Sequence, residues 1–190
     1  MKESESQLRL ETGSLLISEP FMIDEHFRRT VILIVDYLKS DGSVGFVLNK
    51  EMDFTIEELI DEIDEFPLKV HYGGPVAPET LHFLHCKGDI IDDSILVGPG
   101  IYWGGNFDQI KFLIRTKVLG PYDIQFFLGY SGWSPGQLEE ELELKSWFLA
   151  EADSNYIFSQ KKRDIWKTAL EHKGDHFSII GQMSTDSILN

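Results

Sequence analysis

The chain holds one cysteine, Cys86, in 190 residues. That excludes an intrachain disulfide and a cysteine-based zinc cluster, and it fits a reducing compartment. Positive charge is scarce as well: 17 Lys and Arg stand against 32 Asp and Glu, giving a formal net charge of −15 and a pI near 4.7. Nucleic acids are bound through clustered cations that displace counterions from phosphates, so direct DNA or RNA binding is not expected; anionic membranes are disfavoured for the same reason. The one dense basic run, Lys161-Lys162-Arg163, is short and reads as a solvated helix face. No apolar run approaches the ~20 residues that span a bilayer, and the start of the chain lacks the apolar stretch of a signal peptide. A cytoplasmic location is therefore expected. Neither a G-x-x-x-x-G-K-[ST] loop nor a G-x-G-x-x-G turn after a strand is present, so no nucleotide cofactor is expected.

What the chain does have is apolar material, with 42% hydrophobic and 12% aromatic residues, thirteen of them Phe. That supply suits one folded domain over residues 13–190, preceded by a flexible polar arm at residues 1–12 in which Leu8 and Leu10 alternate and can add an edge strand. Leu15–Ile17, Val31–Val35 and Val44–Leu48 are of strand length, and Asp41-Gly42 signals a hairpin between the last two. Further strands are expected at Lys69–Tyr72, Leu81–Cys86, Ile95–Val97 and Asp123–Leu128. Helical spacing appears at Ile56–Glu65, at Phe107–Val118, where Ile110, Leu113, Ile114 and Val118 share a face, and near Ser159–His172. Strands and helices do not alternate regularly, which argues for an α+β fold with a large mixed or antiparallel sheet and helices packed outside it.

The densest local signal is Gly129-Tyr130-Ser131-Gly132-Trp133-Ser134-Pro135-Gly136-Gln137. Ser134 suits a helix cap, Pro135 the first turn, and Gln137 completes a capping box, so a helix is expected from Pro135 to about Leu144. The same stretch begins like a nucleophile elbow, G-x-S-x-G, but places Trp133 where the strained turn needs a small residue. A hydrolase using Ser131 with His85 or His71 as base is thus the alternative reading. Cys86 beside His85 on a strand points to the opposite face and reads as a buried, inert thiol. His82 and His85 likewise diverge, and His172 with His176 lacks a third ligand, so no metal site is expected.

In order along the chain, Gly13-Ser14-Leu15-Leu16-Ile17-Ser18-Glu19-Pro20, Phe27-Arg28-Arg29-Thr30-Val31, Gly45-Phe46-Val47-Leu48-Asn49 and Gly73-Gly74-Pro75-Val76 precede Leu84-His85. The glycine-rich turn, Pro135-Gly136-Gln137-Leu138-Glu139, Trp147 and Asp186-Ser187-Ile188-Leu189-Asn190 follow. Together these segments resemble the YqgE/AlgH family. Lys50-Glu51 departs from its usual basic-proline pair, and Ser134 from its usual glycine. The resemblance implies a strongly bent, bifurcated sheet forming a pseudo-barrel and a role in regulating exopolysaccharide genes; it implies no enzyme reaction. Polar and small residues within the matching motifs suggest a binding groove for a small molecule or protein, formed by Arg29, Asn49, Gly73, Gly74, Pro75, His85, Ser131, Gly132, Trp133 and Gln137. Turn chemistry alone also accounts for the Gly, Asn and Pro among them. A third reading makes the acidic segments Ile56–Glu65 and Glu139–Glu143 recruiters of basic partners.

Overall fold

Every residue of Val31–Val35 is buried, with alternate side chains entering two different cores. The computed structural model describes residues 8–158 and 164–173. In it β1 (Ser14–Ser18), β2 (Val31–Leu38) and β3 (Gly42–Val47) form an antiparallel meander in which Leu15 lies opposite Leu33 and Leu33 opposite Phe46. The Asp41-Gly42 hairpin is present, its turn closed by the Asp41 N–H donating to the Leu38 carbonyl at 2.9 Å.

After β4 (Glu51–Thr55), β5 (Lys69–Tyr72), β6 (Val76–His85), β7 (Ile95–Gly98) and β8 (Ile101–Trp103) comes β9 (Ile124–Trp133), the longest-paired strand of the sheet. Its first half runs parallel to β5, with Val70 opposite Phe126, and antiparallel to β6 on the other edge, with Phe83 opposite Phe126. Its second half leaves β5 and pairs with β3, Gly45 lying opposite Ser131. β3 and β5 thus take the same edge of β9 in succession, and the sheet forks between them. β10 (Trp147–Glu151) closes the far side against β1, giving the order β10-β1-β2-β3-β9-β6-β8-β7.

The helices sit outside this sheet. α1 (Phe107–Arg115) buries Ile110 and Ile114 with Val70, Phe83 and Phe126. α2 (Gln137–Glu143) places Leu138 against Leu16, Ile32 and Val47. α4 (Ile165–His172), which follows the single turn α3 (Ser154–Ile157), packs Trp166, Ala169 and Leu170 against Leu15, Leu33 and Phe46. Both sheet faces are covered, which is why the central strands are apolar throughout instead of alternating. The arrangement is the expected α+β class, a mixed and mostly antiparallel curled half-barrel with peripheral helices.

Several local expectations are corrected. Ile56–Glu65 is not a helix: a 3-10 turn at Ile56–Glu58 is followed by irregular chain to Phe66. Of its apolar residues Ile56 and Ile63 are buried, Ile60 is partly buried and Leu59 is exposed, and Glu57/Asp61, Glu58/Glu62 and Asp61/Glu65 set like charges at i, i+4 with no cation among them. Val118 is 52% exposed. Lys117 turns left-handed at φ 58°, and the Val118 and Lys117 N–H groups donate to the Leu113 and Ile114 carbonyls, ending α1 in a Schellman motif that buries Leu119 instead. The edge strand that Leu8 and Leu10 were expected to add is β10; Leu10 packs on the α2 side of the sheet. β4, β8 and β10 had no counterpart in the sequence reading.

Candidate functional site

Gly73 stands at the fork of the sheet. Its N–H donates to the Leu128 carbonyl at 2.8 Å, and its own carbonyl accepts from the Val47 N–H at 3.0 Å and from the Ser131 hydroxyl at 3.1 Å, linking β5, β9 and β3 at one point. A Cβ at Gly73 would lie 2.2 Å from the Gly129 carbonyl oxygen, and one at Gly74 2.2 Å from the Tyr130 carbonyl carbon. Backbone meets backbone here, so only glycine fits. Ser131 is fully buried and occupied by this junction.

The expected base groups lie elsewhere. His71 pairs with Phe127 and His85 with Ile124, four and seven positions before Ser131 on β9, about 13 and 23 Å along a strand rising ~3.3 Å per residue. The hydroxyl–imidazole pair of the hydrolase reading is therefore not formed. His85 is itself enclosed: its Nδ1 accepts from the Lys87 N–H at 3.2 Å, and its Nε2 lies 2.9 Å from the Gly104 carbonyl oxygen and 3.2 Å from Ser94 Oγ. With Nδ1 accepting, the network assigns the proton to Nε2. Burial lowers the His85 pKa, so the ring is a neutral tie between β6 and the turn after β8.

The turn before α2 also differs from its sequence reading. The helix begins at Gln137, and Gly136, at φ 81° and ψ −16°, is its cap without a side-chain bond. The Gln137 N–H donates to the Ser134 carbonyl at 3.0 Å, closing a type II turn with Pro135 and Gly136 in the central positions. Half of the expected capping box is present, the Ser134 N–H donating to Gln137 Oε1 at 3.0 Å. Gln137 Nε2 in turn donates to Glu141 Oε1, whose other oxygen accepts from the indoles of Trp133 and Trp147. Tyr37 donates to Glu139 at 2.8 Å. Two of the acids expected to recruit basic partners are thus engaged within the fold.

Asn49 clamps the start of β2, accepting from the Val31 N–H at 2.9 Å and donating to the Arg29 carbonyl at 2.8 Å. Arg29 has a left-handed φ of 53° and sets its guanidinium 5.2 Å from the Trp166 ring. The ten residues expected in one groove therefore fall into separate places: the fork (Gly73, Gly74, Pro75, Ser131), the α2 junction (Gly132, Trp133, Gln137), the β2 start (Arg29, Asn49) and the His85 tie. Cys86 is half-buried rather than buried, donating to Asp123 at 3.4 Å; burial and that carboxylate hold its thiol pKa up.

A cleft of about 870 Å³ lies between the sheet and the C-terminal helices. Its sheet wall is Leu48, Asn49, Glu51, His71, Ile124 and Gln125, and its helical wall includes Tyr156, Phe158, Ile165, Thr168 and His172. Of the expected groove residues only Asn49 lines it. Gln125 is buried and donates to the Leu48 carbonyl at 3.1 Å, fixing the floor. Burial drives the His71 pKa down to about 4 against the opposing influence of the Glu51 carboxylate, and its Nδ1 is enclosed without a hydrogen-bond partner among the described residues. Tyr156 hydrogen-bonds His172 within the helical wall, tying α3 to α4. Such polar groups around an apolar floor are what small-ligand sites offer. Nothing in the sequence joins these positions into a motif; the signal that was available is a glutamine within the otherwise apolar start of β9.

Among the described residues no group of three or more His, Cys, Asp or Glu is placed to hold a metal ion, and no helix is long and apolar enough to cross a membrane. His176, Lys161-Lys162-Arg163 and the terminal Asp186–Asn190 motif lie outside the described residues.

The AlgH-like family profile matches residues 15–178. A UPF0301 protein of Chlorobium phaeobacteroides is 44% identical over 172 residues, 90% of this chain and 91% of its own. Another, from Cytophaga hutchinsonii, is 37% identical over 182 residues, 95% of this chain and 100% of its own. In three dimensions the solution structure of the AlgH protein of Pseudomonas aeruginosa, UPF0301, superposes with a TM-score of 0.71 at 26% identity, over 97% of this chain and 98% of that one. A crystal structure of a Corynebacterium diphtheriae protein superposes with a TM-score of 0.78 at 22% identity, over 93% and 94% of the two chains, and has the same fold. Matched by the family profile along most of its length, this chain belongs to the AlgH-like family, UPF0301.

Proposed function

We propose that this protein is a cytoplasmic binding protein with a regulatory role, which recognises a small molecule or a protein segment without turning it over and without touching DNA directly. The observation that carries this reading is the cleft between the sheet and α4, where a buried Gln125, a neutral His71 and the Asn49 clamp border an apolar floor. The nucleophile reading has no comparable support, since Ser131 is consumed by the fork. The net charge of −15 supports the exclusion of nucleic acid.

The test is a ligand screen read by thermal unfolding, run in parallel on Thr168→Trp, whose indole would occupy the cleft. A ligand of the native state at 100 times its Kd adds about 2.7 kcal/mol of stability. Hits that shift the wild type and not the filled variant support the site. Hits that shift both equally place binding elsewhere and remove this reading.

A further inference from the structure

Gln125 is the polar residue at the start of β9, set between Ile124 and the Phe126-Phe127 pair, and only 6% of it is exposed. Its carboxamide is half used. Nε2 donates to the Leu48 carbonyl at 3.1 Å, and that contact fixes which end of the amide is which, since the reversed group would set two carbonyl oxygens against each other. Oε1 accepts no hydrogen bond from a described residue, yet it is not sealed inside the protein. A carboxamide oxygen can accept two hydrogen bonds. Because Gln125 lines the cleft, that accepting capacity opens there.

His71 borders it. In the parallel β5–β9 pairing His71 lies opposite Phe127, and Gln125 is two positions earlier on β9, so all three side chains leave one face of the sheet. On that face Phe127 joins Leu48 and Trp166 in one core. The His71 ring lies 5.9 Å from the Phe127 ring, and burial keeps it uncharged at neutral pH. Gln125 and His71 thus offer hydrogen bonding without charge, between the apolar side chains of Leu48 and Ile124 on the sheet and of Phe158 and Ile165 on the helical side.

An entirely apolar molecule in this slot would strip water from Gln125 Oε1 and give nothing back, whereas one with a donor aimed at that oxygen replaces the lost bond. From this arrangement we propose that the cleft takes apolar ligands that present an N–H or O–H donor, indole-like heterocycles or hydroxyaromatics, and that Gln125 Oε1 is the atom that selects them. The inference rests on the cleft being the binding site. Its walls hold any apolar molecule of the right shape, and Gln125 sets the preference among them. Water satisfies Oε1 when no ligand is bound, so the preference is a modest one.

Indole and benzofuran have nearly the same shape and differ in an N–H against a ring oxygen; N-methylindole keeps the nitrogen and blocks its proton. Each is titrated into the isotope-labelled full chain and followed by NMR. The titrations are repeated on Gln125→Met, which keeps the length of the side chain and removes its acceptor, and on Thr168→Trp, with folding of each variant checked by thermal unfolding. Indole is expected to bind about fivefold tighter than benzofuran or N-methylindole, and the difference to vanish in Gln125→Met. The comparison of the three probes on the wild type stands by itself if Gln125→Met does not fold. Equal binding of indole and benzofuran by the wild type, with Thr168→Trp still blocking both, overturns selection by Gln125 and leaves the cleft as a site. A preference for indole that survives in Gln125→Met does the same. No binding by any of the three also overturns the inference. Binding that is unchanged in Thr168→Trp removes the cleft itself.

Discussion

The indole N–H groups of Trp133 and Trp147 converge on a single oxygen, Glu141 Oε2, at 2.9 and 2.7 Å, with the two rings edge-to-face at 6.2 Å and Phe27 against both. One tryptophan ends β9 and the other begins β10, so a residue of α2 fastens two strands that are not neighbours in the sheet. Hydrogen bonds to a charged partner contribute about 1.5–3 kcal/mol each, and a buried donor left bare costs about as much. Glu141→Leu is expected to lower stability by about 3 kcal/mol. Glu141→Gln, which keeps one acceptor, should lose about half of that, as read by urea unfolding.

Asn49 is the second such clamp, and it also borders the cleft. Asn49→Ala strands the Val31 N–H and the Arg29 carbonyl, for an expected loss of about 2 kcal/mol. Asn49→Asp should lose more, because a carboxylate would then face the Arg29 carbonyl with no proton to offer. Chemical denaturation ranks the two; the reverse order would mean that the residue is held by something other than these bonds.

The strands and the core were legible from the sequence where apolar residues repeat under local rules. Val31–Val35 is buried as read, the expected face of α1 is found at Ile110, Leu113 and Ile114 though not at Val118, and the helical spacing near His172 appears as α4 with Trp166, Ala169 and Leu170 inward. β10 was not legible because an edge strand that is partly exposed carries no clean alternation; its identity comes from pairing with β1, some 130 positions earlier. The fork was invisible for the same reason, since Gly73 and Gly129 show only that backbones approach closely, not which ones. The site was less legible still. Asn49, His71, Gln125 and Thr168 come from four distant segments, and the motif residues that looked functional are spent on joining strands.

Acid should destabilise the protein through His71. Its pKa is about 4 in the folded chain against an ordinary value of 6.5, so the unfolded chain binds the proton first. This contribution is fully present above pH 6.5 and is lost as the pH falls towards 4. The loss between pH 7 and pH 5 is about 2 kcal/mol for this group, and His82 and His85, both lowered by burial, add in the same direction. His71→Leu is expected to reduce the pH 7 to pH 5 loss by about that amount, measured by denaturant titration at the two pH values. An unchanged pH dependence would place the acid sensitivity elsewhere.

Gly73→Ala tests the fork directly. The added methyl group would sit 2.2 Å from the Gly129 carbonyl oxygen and 3.1 Å from the Phe46 ring, so one backbone must retreat and the Val47 and Ser131 bonds to Gly73 must lengthen with it. Overpacking a rigid interior typically costs about 1–3 kcal/mol, and two displaced hydrogen bonds raise that further. The expected outcome is a loss of at least about 3 kcal/mol or a failure to fold.

Ser131→Ala should be mild by comparison, and that contrast separates a structural hydroxyl from a nucleophile. The substitution removes one donor from the Gly73 carbonyl, which keeps the Val47 N–H at 3.0 Å, and leaves no buried polar group without a partner. A loss of about 1 kcal/mol is expected. A fluorophosphonate probe should label neither wild type nor Ser131→Ala, because the hydroxyl is fully enclosed and paired across the backbone, far along β9 from the strand positions of His71 and His85. Labelling of the wild type that vanishes in the variant would restore the hydrolase reading and require the fork to open for substrate, since no imidazole within the sheet stands near enough to activate Ser131 as it is placed.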